Sequence, residues 1–116
     1  MAEKLIIYHN TRCAKSRAGL KYLADNKLDH EVVEYLKNPL SPDILRRILM
    51  KMNKQPHEIV RKQESYYKKE LKGKQFNDDE WIIILLENPK LLERPIVEGK
   101  YKAVLAQPPE EIEKIG

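Results

Sequence analysis

Cys13 is the only cysteine in a chain of 116 residues, and it stands in a polar, basic stretch, "HNTRCAKSR" (residues 9–17). The hydrophobic run "LIIY" precedes this stretch and an amphipathic helical pattern follows it. The thiol therefore falls at a strand-to-helix junction. The first turn of a helix presents unpaired backbone N–H groups and about half a positive charge. A cysteine there has its pKa drawn down from about 8.5, in extreme cases to about 3.5. Arg12, Lys15 and Arg17 add positive charge. His9, four residues before Cys13, can donate to a thiolate or carry a proton. Ser16, one turn into the helix, can direct its hydroxyl back to the sulfur. The same backbone amides bind oxyanions. One loop can thus activate a nucleophile and hold an anionic substrate.

A lone cysteine is more often a small buried hydrophobe, and the junction with its basic flanks is what favours the nucleophile. Other thiol chemistries fail on position. A phosphatase loop would need an arginine at position 19, where Gly19 stands, and a Cys-x-x-Cys redox pair would need a cysteine at position 16, where Ser16 stands. A hydrolase triad would have to recruit His9, His30 or His57, and no spacing supports it. His30 and His57 read as ordinary surface residues. No metal-ligand spacing and no glycine-rich phosphate loop occurs.

The elements that must position Cys13 follow from periodicity. "KLIIY" (4–8) predicts a buried strand, and Leu20, Leu23, Ala24 and Leu28 recur at helical spacing after it. "HEVVEYL" (30–36) alternates and is β-branched, which predicts a second strand. Two strands flanking a helix make a βαβ unit with a parallel crossover. Ser41 followed by Pro42 starts a helix. Its apolar face would be Ile44, Leu45, Ile48, Leu49 and Met52, with Met50 and Met52 as core filler. Residues 57–72 are polar and predict one or two short helices. "NDDEWIIILLENP" (77–89) carries strand-forming residues, yet Asn77 with Glu80 resembles a capping box, so a buried helix is predicted. "RPIVEGKYKAVLA" (94–106) predicts a hairpin turning at Gly99, and "QPPEEIEKI" a closing helix. The order is β-α-β, a block of helices, then β-β-α. That is an α/β domain with a helical insertion over about 41–93.

Composition narrows the function classes. An apolar fraction of 41% with 34% charged residues belongs to a soluble globular chain. No apolar run reaches the roughly 18 residues of a membrane span. One thiol allows no intramolecular disulfide, and a reducing cytoplasm is the simplest setting. The net charge of +4 is spread along the chain. It could be a weak nucleic-acid footprint, but a solvated surface that helps attract an oxyanion is the favoured reading, and no RNA-binding aromatic signature occurs.

Taken in order, "YHNTRCAKSR", "VRKQE", "NDDEWIIILLENPKLLERPIV" and "AQPPEEI" resemble the glutathione/glutaredoxin-coupled arsenate reductase family over almost the whole chain. The resemblance implies a thioredoxin-like fold with an inserted helical subdomain. It implies that Cys13 attacks arsenate, with His9, Asn10 and Ser16 tuning the thiol. Arg61 of "VRKQE" and Arg94 of "ERPIV" would bind the oxyanion, and Pro95 would be the cis-proline of the fold. Only six of the 22 basic residues are arginine, and a planar guanidinium suits bidentate oxyanion binding. Two positions depart from the family pattern. Thr11 stands where many members have proline. Gln107 stands where the family places a third arginine before a proline, and loss of one charge-assisted contact would cost about 1.5–3 kcal/mol. No bound cofactor or metal is implied. Glutathione would be the co-substrate and glutaredoxin the partner of a monomer, with no nucleic acid and no membrane involved. Two other readings use the same fold. One is a regulatory module that binds RNA polymerase, which Ser16 disfavours by removing the redox pair. The other is a thiol-transfer enzyme with a substrate other than arsenate.

Overall fold

The computed structural model describes residues 4–115. "LIIYH" forms β1 (Leu5–His9), with Ile7 and Tyr8 buried. A strand this apolar belongs inside a sheet that is covered on both faces. β1 is indeed central in a four-stranded sheet of order β2-β1-β3-β4, where β2 is His30–Glu34, β3 is Ile96–Glu98 and β4 is Ala103–Leu105. β2 runs parallel to β1, and α1 (Ala14–Asp25) lies between them in sequence. β3 pairs antiparallel with β1, and β4 antiparallel with β3. The pairing of β3 with β1 matters most for the site. It brings the chain after Arg94 back to the strand that leads into Cys13.

The chain divides into two compact units, one built from the chain up to Asn38 together with the chain from Arg94 onward, the other from Pro39–Glu93. In the first unit Leu5, Ile7, Leu23, Val97, Ala106 and Ile112 form a continuous buried core. Leu23 is its contribution from α1. Leu20 and Leu28 are partly buried against it. Ala24 is exposed, on the solvent side of the helix. Tyr8 donates its hydroxyl to Glu98 at 2.7 Å, which satisfies a carboxylate only 2% exposed. β2 ends at Glu34, two residues earlier than its alternation predicts. There the Lys37 and Asn38 N–H groups both donate to the Glu34 carbonyl and turn the chain. The closing segment, Pro109–Ile115, is a 3-10 helix rather than an α-helix.

In the second unit Ser41 caps α2 (Pro42–Met52) by accepting from the Ile44 N–H at 3.1 Å. Leu45, Ile48 and Leu49 are buried. Met50 is 75% exposed, because it projects away from that face, so it does not fill the core. The polar stretch resolves into a 3-10 turn, Pro56–Ile59, and a π-helical turn, Tyr67–Leu71. The ambiguous apolar run is α3 (Asp78–Glu87). Its capping box is complete: Asn77 accepts from the Glu80 N–H at 2.8 Å and Glu80 accepts from the Asn77 N–H at 3.0 Å. Those two bonds satisfy donors that a strand assignment would leave without the same partners. No helix among the described residues is long and apolar enough to cross a membrane.

Glycine inside a helix costs about 0.5–1 kcal/mol relative to alanine, and Gly19 sits buried in the middle of α1. Packing explains it. A Cβ at Gly19 would lie 2.8 Å from Cγ of Pro95 and 3.6 Å from Ile7. The absent side chain lets the Arg94–Pro95 segment press directly on the helix that Cys13 begins. Gly19→Ala gains helix propensity of about 1 kcal/mol but overpacks a rigid, buried ring at about 1–3 kcal/mol. The expected outcome is a net loss of about 1 kcal/mol in urea unfolding. A variant more stable than wild type would contradict this packing.

Candidate active site

Cys13 is the N-cap residue of α1, extended at φ −100° and ψ 124°. Its own N–H donates to the Asn10 carbonyl at 3.0 Å, which closes the turn between strand and helix. Asn10 is buried and braces that turn from two sides. Its Oδ1 accepts from the Arg12 N–H at 3.0 Å, and its N–H donates to Ser16 Oγ at 3.2 Å. Such side-chain-to-backbone bonds are why Asn and Ser favour turns and helix starts. Arg17 Nη1 reaches back to the Thr11 carbonyl at 2.9 Å. The first turn of α1 thus clamps the loop that precedes it.

The sulfur is partly exposed, and the groups around it oppose one another. Burial pushes the thiol pKa up. A hydrogen bond from the Arg94 side chain, the backbone N–H groups of Ser16 and Lys15, and the Arg94 charge together outweigh burial and bring it from 9.0 down to about 7. Cys13 is therefore a markedly more acidic thiol than an ordinary cysteine. Ser16 reaches the sulfur through its backbone N–H, while its hydroxyl, fully buried, takes the Asn10 N–H.

His9 ends β1 opposite Glu34 of β2 and is 4% exposed. Its pKa is lowered, first by burial and also by Arg17, against the raising effects of Glu34 and the Ser16 backbone. The imidazole is a neutral, buried group at pH 7, and Nδ1 has no hydrogen-bond partner among the described residues.

Arg94 and Pro95 are joined by a cis peptide bond, as are Gln107 and Pro108. The Ala106 N–H donates to the Pro95 carbonyl at 2.9 Å. Gln107 Nε2 donates to the Arg94 carbonyl, and Gln107 Oε1 accepts from Lys15 Nζ at 3.3 Å. The first unit therefore gathers Cys13, Arg94, Gln107, Ser16, Asn10, His9 and Pro95. Arg61 belongs to the second unit, where its Nη1 pairs with Glu64 at 2.7 Å and its N–H donates to the Leu91 carbonyl. The sequence predicts that Lys15 adds positive charge at the thiol, and the structure shows how: it contributes a backbone donor to the sulfur and its side chain to Gln107. Gly19, whose packing against Pro95 holds that segment to α1, left no local signal.

Comparison with known proteins places this geometry in a family. The ArsC family model matches residues 8–115. The chain belongs to the ArsC family. It is 39% identical over 118 residues to the uncharacterized protein YfgD of Escherichia coli K12, covering 99% of this chain and 98% of that one. It is 35% identical over 111 residues to an arsenate reductase of Neisseria meningitidis serogroup A, covering 94% and 95%. A solved structure of an arsenate reductase from Vibrio cholerae superposes with a TM-score of 0.92 at 33% identity, covering all of both chains. The fold is the thioredoxin-like α/β fold of this family, with a helical segment between β2 and β3.

The buried state of His9 has a consequence for acid stability. Its folded pKa lies below the ordinary 6.5. Below 6.5 the unfolded chain takes up the proton first, so neutral burial stabilises the fold above that pH and the contribution is lost as pH falls through the folded value. The urea midpoint of wild type should fall more steeply below pH 6.5 than that of His9→Asn. An NMR titration placing the His9 imidazole at or above 6.5 would contradict the account.

Proposed function

We propose that this ArsC-family chain is a thiol-dependent arsenate reductase in which Cys13 is the nucleophile. The observation that carries the reading is the free, half-buried Cys13 thiol at the N-cap of α1, with the Arg94 side chain and the first-turn amides of Lys15 and Ser16 directed to it. Helix N-terminal amides and a guanidinium are also the groups that hold a tetrahedral oxyanion. Nucleophile and anion site thus share the same donors.

The chemistry balances with two thiols. The Cys13 sulfur attacks arsenic, and an S–As bond replaces one As–O bond. The displaced oxygen leaves as water after taking up protons. The sulfur of an external thiol then bonds to the Cys13 sulfur, and the S–As electron pair returns to arsenic. Arsenic falls from As(V) to As(III), and the two thiols become one disulfide. Cys13 is the only cysteine of these 116 residues, so none of them can supply the second thiol. We assign that role to glutathione, with glutaredoxin regenerating Cys13 by thiol–disulfide exchange. Arg94 holds the oxyanion as charge shifts onto it.

Arsenite formation by wild type, supplied with glutathione and glutaredoxin, should vanish in Cys13→Ser. Arg94→Ala should lower kcat/KM by about 10–100-fold, the range of one charge-assisted hydrogen bond. Turnover that survives loss of the thiol would overturn the assignment. Absence of arsenite formation while Cys13 stays reactive would move the substrate away from arsenate, toward thiol transfer.

A further inference from the structure

We infer that the Lys15 ammonium is a ligand for the oxyanion bound at Cys13, and that Gln107 is the positioning residue that holds it there. The inference rests on the reading of Cys13 as an oxyanion nucleophile and adds a residue to that site. Four residues close a ring. The Lys15 N–H points to the Cys13 sulfur. The Lys15 side chain runs to Gln107 Oε1 at 3.3 Å. Gln107 Nε2 donates to the Arg94 carbonyl. The Arg94 side chain closes on the same sulfur. The ammonium is thereby tethered to the Gln107 amide, which is itself fastened to the Arg94 backbone.

The chemistry of the tether matters. An amide oxygen is a neutral acceptor, so it fixes the ammonium without cancelling its charge. An ammonium has three donors and Gln107 uses one, which leaves two for an anion. The other cations of α1 are differently engaged. Lys21 is tied to Asp25 at 2.6 Å, and Arg17 is spent on the Thr11 carbonyl. Lysine binds an oxyanion as a point charge where Arg94 binds it with a planar fork. A tetrahedral dianion gains from both.

The test is protection of Cys13 from iodoacetamide by inorganic sulfate at pH 7, with arsenate reduction measured on the same preparations. Lys15→Met should raise the half-protecting sulfate concentration about tenfold. Each variant's alkylation rate without sulfate is its own reference, so protection is read as a ratio and a change in intrinsic thiol reactivity does not enter it. Lys15→Arg should restore most of the protection. Gln107→Leu should weaken protection comparably, and the double variant Lys15→Met/Gln107→Leu should be no worse than Lys15→Met alone, since the two act as one unit. Additive losses would mean that Gln107 acts on its own contact to Arg94, which overturns its positioning role. Wild-type arsenate reduction with sulfate protection unchanged in Lys15→Met would overturn this inference and leave the parent reading standing. No arsenate reduction and no protection in wild type would overturn both.

Discussion

A thiolate half-sheltered from water is stable only if fixed donors replace the water it loses. That balance at Cys13 is the constraint on which the rest of the site depends. Burial alone raises the thiol pKa, and the net value near 7 exists because Arg94 and two backbone amides point at the sulfur. Backbone amides are rigid only if the turn that carries them is rigid. This is the work of buried Asn10 and Ser16, whose mutual hydrogen bond ties the end of β1 to the first turn of α1. The amide donors cost no side-chain entropy when the sulfur ionises, which is the advantage of preorganised dipoles over mobile charges.

The guanidinium reaches the same sulfur by a longer route. Arg94 lies eighty-one positions after Cys13 in sequence, and it returns because β3 pairs with β1 in the register Ile7 to Val97. Gly19 then lets Pro95 pack on α1 without an intervening side chain. Gln107 fastens the Arg94 carbonyl from the far side of the hairpin. The hairpin is thus a lever that sets the guanidinium, while the helical segment Pro39–Glu93 folds as its own unit with its own caps and its own apolar face. Every residue gathered at the thiol, from His9 to Gln107, belongs to the sheet-bearing unit.

What could be read from the chain alone was local. The β1-to-α1 junction follows from "LIIY" before and helical spacing after a polar loop, and the Asn77–Glu80 pair settled a run whose residues prefer strands. Local patterns already gave the order β-α-β, a block of helices, then β-β-α, and the family resemblance added that these elements join as a thioredoxin-like fold. Three features were not legible. Met50 follows two apolar neighbours yet points to solvent, since helical phase and not composition decides burial. The closing segment has proline and acids fit for a helix start, and whether it winds as an α- or a 3-10 helix depends on packing. Lys15 and Gln107 each stand out in the chain, but their contact spans ninety-two positions, so only the fold reveals it.

The central claim is that Arg94 and the first-turn amides, acting against burial, make Cys13 an acidic thiol. The direct measurement is an ultraviolet titration of thiolate absorbance in wild type, in Arg94→Ala and in Cys13→Ser as the blank. The account predicts a wild-type midpoint near 7 and an upward shift in Arg94→Ala toward the ordinary thiol range. A wild-type midpoint near 9, or one that loss of Arg94 leaves unmoved, would contradict it.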